Sequence, residues 1–194
     1  MNDLSQVNAQ LFAGVELISA VSFFAIAFIF YLNRIRIKQS WLLFRTQYCL
    51  NHLGLEQISD IQFPDGLGHH FTIDRLLLRH NGITLLVYKK YPGRIFCASN
   101  IDEWTQMLGQ KSYAFKNPLF ELDYQIKAIS AFLPDIPIDG FLFFDHTTQF
   151  PKGHPQRVMH PRLIPEELQR NNRHQVEPVV MDGWRKMQEL KVKG

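Results

Sequence analysis

Apolar residues fall into one long run and several shorter ones, and these runs predict the secondary structure. The long run, residues 17–32, contains no charge, and extended back to Leu11 it reaches 22 residues interrupted only by Glu16. A helix of that length rises about 30 Å, the thickness of the hydrocarbon layer of a bilayer. We therefore expect a transmembrane anchor over residues 11–33, after a short extracytoplasmic tip at 1–10.

The charges that flank this run predict its orientation. All Lys and Arg residues lie at or after Arg34, and Arg36 and Lys38 follow directly. The positive-inside rule places this end in the cytoplasm, whereas a cleavable signal peptide would carry its positive charge before the apolar run. A buried core helix is the remaining alternative. The sequence thus predicts a single-pass protein of the inner (cytoplasmic) membrane, with its N-terminus outside and its C-terminal domain in the cytoplasm.

The shorter runs predict an α/β domain at residues 39–150 and a C-terminal extension at 151–194. We expect a helix at 39–54, strands at 57–63, 70–78, 83–89 and 94–98, a turn at 64–68, a helix from Pro118 to 133, strands at 138–144 and 157–159, and helices at 164–171 and 178–191. His80-Asn81-Gly82 is typical of a tight turn, so the second and third strands should form a hairpin. This order predicts a mixed sheet flanked by helices, and the last helix should be amphipathic.

Composition and charge narrow the function classes. The chain is 46% apolar and 20% charged, with a mean hydropathy of −0.14, which excludes a disordered chain and a many-pass membrane protein. Residues 34–194 hold all 21 basic but only 16 of the 18 acidic residues, a net charge of +5 that permits an anionic partner. Two cysteines cannot build a disulfide framework, and His146, His154 and His160 lack the spacing of a metal motif.

The most informative stretch combines the predicted hairpin with the segments after it. In order, the chain reads Ile73-Asp74-Arg75, Gly82, Tyr88-Lys89-Lys90, Pro92-Gly93-Arg94-Ile95, Trp104 and Asn117-Pro118. Over about residues 40–145 this pattern resembles the nuclease-related domain (NERD) family, a branch of the PD-(D/E)xK nuclease superfamily. The resemblance implies a restriction-endonuclease-like mixed sheet flanked by helices.

The resemblance also implies a chemistry for two residues of the hairpin. In such nucleases two carboxylates bind a divalent cation such as Mg²⁺, which activates a water, and a lysine orients that water or stabilises the transition state. On this basis Asp74 is the expected metal ligand and Lys89 the expected catalytic lysine. Strand periodicity places the lysine and the residue two before it on one face.

Three departures from the family pattern bear on activity. Val87 occupies the position of the second carboxylate, the family's early Gly-Glu has no counterpart near residues 38–41, and Glu121 replaces the Gln after Asn-Pro. Because a single carboxylate holds Mg²⁺ poorly, metal binding is in question.

Two functions follow from these departures. One is a membrane-anchored NERD-type protein with impaired catalysis, which binds DNA or acts as a scaffold for protein partners in a DNA-handling membrane assembly. The other is an active metal-dependent DNA nuclease in which Glu121 has taken over as the acidic ligand. Lys90, Arg94 and His69 are candidate contacts to a nucleic-acid backbone, although a solvated basic edge that discourages strand pairing is an open alternative.

Overall fold

The computed structural model describes residues 2–64, 68–169 and 175–193, with side chains except at 2–21, 167 and 191–193. The predicted turn at 64–68 lies mostly outside the described residues, as do the side chains of the predicted tip at 1–10. The chain divides into two compact units, one ending at Phe44 and the other beginning at Arg45. Helix α1 (Asn2–Asn51) contributes to both.

The first unit does not bear out the predicted membrane anchor. Among the residues that the structure describes, no helix has the length and apolarity to cross a membrane. The predicted transmembrane anchor at 11–33 is therefore wrong, and so is the predicted single-pass localisation in the inner membrane.

The second unit is built on a five-stranded mixed sheet with the order β1-β2-β3-β7-β9. Its strands are β1 (Gln57–Pro64), β2 (His70–Arg79), β3 (Gly82–Lys89), β7 (Ile138–Phe144) and β9 (Val158–Met159). The first three pair antiparallel, and β7 lies parallel to both β3 and β9. The predicted hairpin at His80-Asn81-Gly82 is confirmed, as are the mixed sheet and its flanking helices.

A second sheet, which the sequence did not predict, has four short strands in the order β6-β5-β4-β8. These are β4 (Gly93–Phe96), β5 (Glu103–Leu108), β6 (Lys111–Lys116) and β8 (Thr148–Gln149). Only β4 was expected. Gly93 has a φ of +91°, and a Cβ there would lie 2.5 Å from the Met107 carbonyl oxygen, so a glycine is needed where β4 meets β5.

Helices cover both faces of the five-stranded sheet. Helix α2 (Pro118–Phe132) and helix α3 (Pro178–Lys193) share one core with it, and Trp184 of α3 is fully buried there. Leu50, Leu53 and Leu168 pack on the opposite face. Helix α3 therefore docks on its own domain. Of the helix predicted at 164–171, the described residues 164–169 form only a 3₁₀ turn at Glu166–Leu168.

Candidate functional site

The β2–β3 hairpin sets Asp74 opposite Val87. Arg75 pairs with Leu86 in the antiparallel register, which places the preceding residue, Asp74, across from Val87. The backbone N–H of Tyr88 donates to Asp74 Oδ2 at 2.9 Å. Val87 is only 5% exposed and belongs to the core shared with α2. An apolar side chain thus fills the place opposite Asp74.

Helix α2 brings Glu121 to the end of β3. The Asn117 side chain accepts from the backbone N–H of Leu119, and Pro118 occupies the first turn, where its missing N–H costs no hydrogen bond. This start places Glu121 in the first turn of the helix, and Lys89 Nζ donates to Glu121 Oε2 at 3.1 Å. The side chain of Lys89 is 20% exposed and that of Glu121 is 56% exposed, so the pair lies at the surface of the site.

A third acidic residue, which sequence reasoning missed, faces the same hairpin. Ser59 pairs with Arg75 and Ile61 pairs with Ile73, so Asp60 of β1 lies across from Asp74. Asp60 has a φ of +58°, and it is the one non-glycine residue with positive φ among those described. Left-handed backbone in the middle of a strand is strained, and such strain concentrates at functional sites.

The pKa of Asp74 reflects the acidic residues that lie near it. Burial raises the pKa of Asp74 above its ordinary value, and the nearby charges of Glu121 and Asp60 raise it further. The Tyr88 N–H and the Lys89 ammonium act in the opposite direction, yet the net shift of the pKa is upward. Two neighbouring carboxylates thus raise the pKa of Asp74, and one ammonium group lowers it.

The described side chains do not form a complete protein site for Mg²⁺. Across residues 2–64, 68–169 and 175–193, no group of three or more His, Cys, Asp or Glu side chains could hold a metal ion. Mg²⁺ requires near-octahedral oxygen coordination, and Val87 contributes no oxygen beside Asp74. The structure therefore gives the predicted Mg²⁺ cofactor no complete protein site.

The predicted nucleic-acid contacts lie on separate segments. His69 and Lys90 are exposed, one just before β2 and the other just after β3, at the same end of the five-stranded sheet. Arg94 is exposed on β4, in the other sheet. The structure therefore brings Asp74, Lys89 and Glu121 together but distributes the three basic candidates over the surface.

A polar cluster lies beyond the end of β7. Asp145 is fully buried, and Thr46 Oγ1 and His146 Nδ1 are 3.0 Å apart. Asp145 Oδ2 and His146 Nε2 are buried and have no hydrogen-bond partner among the described residues. Burial also lowers the pKa of nearby His160. The sequence gave no sign of the buried aspartate beside these histidines.

The hairpin carries Asp74 and Lys89, and helix α2 brings Glu121 to it. This is the arrangement expected of a nuclease-like module. A family model described as "Nuclease-related domain" (NERD) matches residues 41–145, which are 105 of the 194 residues and more than half of the chain. The chain belongs to the NERD family, as the motifs of its sequence indicated. No curated protein and no solved structure gives a significant match.

Proposed function

We propose that this chain is a nuclease-related module that binds nucleic acid without cutting it. The observation that carries the proposal is Val87, which lies buried opposite Asp74 where the family places its second carboxylate. A valine cannot coordinate a cation, and a cation is what neutralises the phosphate and activates the water in this class of nuclease. In a DNA-handling assembly, such a module would hold DNA or protein partners in place.

The ion pair that Lys89 forms with Glu121 supports the same proposal. Its ammonium group lies 3.1 Å from Glu121 Oε2 and donates to it. A lysine that stabilises an anionic transition state must direct its charge at the reacting phosphate. Here that charge is already engaged by a neighbouring carboxylate, which reduces what it can contribute to catalysis.

Surface charge supports binding. Residues 34–194 carry a net charge of +5, and Lys90, which directly follows Lys89, and Arg94 of β4 are both exposed. Contacts of this kind attach to phosphates irrespective of base sequence, and salt weakens them because binding releases counterions.

The test combines cleavage and binding on the full chain. We expect no cutting of plasmid or single-stranded DNA with Mg²⁺ or Mn²⁺ under conditions in which a control nuclease cuts. Fluorescence anisotropy should show DNA binding that weakens with salt and is reduced in the Lys90→Ala/Arg94→Ala double variant. Lys127→Ala, an exposed lysine farther along α2, is the matched control. Metal-dependent cutting, or no DNA binding at low salt, would refute the proposal.

A second candidate, an active nuclease that uses Glu121, has its own supporting observation. Glu121 touches Lys89, and its charge acts on Asp74, so all three side chains share one site. If this candidate is right, metal-dependent cutting is present and is abolished by Asp74→Ala, Lys89→Ala and Glu121→Gln. Asp182→Ala, on the exposed surface of α3, should then leave cutting unchanged.

A further inference from the structure

An open cleft of about 640 Å³ lies beside the Lys89–Glu121 pair. It runs between the end of β3, the second sheet and the start of α2, and the two paired side chains form part of its wall. Small-molecule sites typically measure about 300–1,000 Å³. A volume of this size suits one small planar group or one unit of an extended strand rather than a double helix.

Aromatic rings make up much of the cleft. Tyr91 and Phe115 line the cleft and stack on each other, with their centroids 4.6 Å apart and their planes 15° apart. Phe120, in the first turn of α2, is 50% exposed at the edge of the cleft. Phe120 also lines a neighbouring cleft of about 440 Å³, so it stands between the two. Exposed aromatic faces of this kind are the platforms on which unpaired bases stack.

The charged side chains at the rim of the cleft favour a base over a phosphate as the ligand. Lys89 is paired with Glu121, and Glu103 lies directly across from Lys116 in the β5–β6 register. Asp102 adds one more carboxylate. The rim is thus slightly acidic, which disfavours a phosphate inside the cleft, while its carboxylates can accept from the exocyclic amino group of a base. An arginine-rich peptide would also meet carboxylates, but the two lysines would repel it.

From this arrangement we infer that the cleft binds an unpaired, amino-bearing nucleobase of a single strand, with Phe120 as its stacking platform. The inference rests on the proposed function and deepens it. The phosphates of the strand would contact the exposed Lys90 and Arg94 outside the cleft, and the base would enter the cleft. The module should therefore prefer single strands to duplexes, and cytosine to thymine because thymine lacks the amino donor.

The test measures binding of the full chain to fluorescent oligonucleotides in a metal-free buffer. We expect a short oligo(dC) to bind more tightly than oligo(dT), than a duplex and than an abasic strand of equal length. Phe120→Ala should weaken oligo(dC) binding by roughly 5- to 150-fold, the loss typical of one base–aromatic stack, without changing duplex binding. Phe120→Trp should retain binding. Phe132→Ala, an exposed phenylalanine at the other end of α2, is the matched control.

The outcomes separate this inference from the proposed function. Equal binding of single strands and duplexes, or a Phe120→Ala variant that binds oligo(dC) like the wild type, overturns the base site and leaves nucleic-acid binding intact. Free CMP that competes as well as the strand overturns the assignment to a strand. Absence of binding to any nucleic acid, with or without binding of an arginine-rich peptide, refutes both proposals. Thermal melting of each variant verifies that it folds.

Discussion

Two carboxylates at opposite ends of the same sheet have contrasting surroundings. At one end Asp139 uses both oxygens, one accepting from Arg79 at 2.7 Å and the other from the Thr84 hydroxyl at 2.5 Å. At the other end Asp74 accepts from the Tyr88 N–H and lies near the charges of Glu121 and Asp60. The first arrangement stabilises the fold, whereas the second raises the pKa of its carboxyl group. Crowded acids of this kind reduce stability, and the proposed function assigns them to the functional end of the sheet.

The largest expected effect comes from restoring the family's second carboxylate. Val87→Glu should lower the free energy of unfolding by about 2–4 kcal/mol in EDTA, because it buries a charge beside Asp74. Mn²⁺ should recover part of this loss, because an ion that binds only the folded state stabilises it. Urea unfolding with and without Mn²⁺ measures both effects. Val87→Gln controls for size, and equal responses of the two variants to Mn²⁺ would count against the interpretation.

At the structural end of the sheet, Asp139→Ala should lower the free energy of unfolding by about 2–3 kcal/mol. The change leaves Arg79, whose side chain is only 11% exposed, without its carboxylate partner. Urea unfolding measures the loss, and Asp182→Ala in an exposed ion pair of α3 is the control, with an expected loss below about 0.5 kcal/mol. A loss as small as that of the control would remove the contrast between the two ends.

At the functional end, Asp74→Asn should increase stability near neutral pH. Because the pKa of Asp74 is raised in the folded protein, folded chains bind more protons than unfolded chains just above the ordinary value of 3.8. Stability therefore falls as the pH rises through that window and stays lower above it. Asparagine removes this cost and can still accept from the Tyr88 N–H. The gain should be below about 1 kcal/mol, since water screens a half-exposed group.

The pH dependence of this gain supplies the check. Thermal or urea unfolding over a pH series should show the advantage of Asp74→Asn shrinking as the pH falls toward 3.8. Asp182→Asn should show no comparable advantage. A variant that is less stable than the wild type near neutral pH would mean that the Asp74 carboxylate has a stabilising partner after all.

The smallest effect is expected from Glu121→Gln. The ion pair with Lys89 is half-exposed at Glu121, so its removal should change stability by no more than about 0.5 kcal/mol. The pKa of Asp74 should nevertheless decrease, because the Glu121 charge raises it. NMR titration of Asp74 measures the shift, with Glu189→Gln of α3 as a control. An unchanged pKa would show that Glu121 does not act on this site.

The hairpin could be predicted because its signals are local. Asn81-Gly82 lies between two apolar runs, and strand periodicity fixes which residues share a face. Helix α2 could be predicted in the same way, from Pro118 at its start and from the helical spacing of the apolar residues that follow. These elements carry Asp74, Lys89 and Glu121, so the sequence supplied all three candidates, although their contacts depend on packing.

Other parts could not be predicted because their signals are not local. β6 is mostly exposed, so it lacks the apolar alternation that reveals a strand. Asp60 faces Asp74 only through the β1–β2 register, which the apolar pattern of β1 alone does not fix. The apolar run before Arg34 had the composition of a membrane anchor, yet no helix that can span a membrane is found in the described part of the chain.

The loss of the second metal ligand at Val87 is tested most directly by a calorimetric titration of Mn²⁺ into the wild-type chain without DNA. If Val87 has removed the second ligand, no saturable site should be observed, and the wild type should give the same trace as Asp74→Ala. A stoichiometric site of one ion per chain that disappears in Asp74→Ala would show that other side chains complete the metal centre, and would contradict the account.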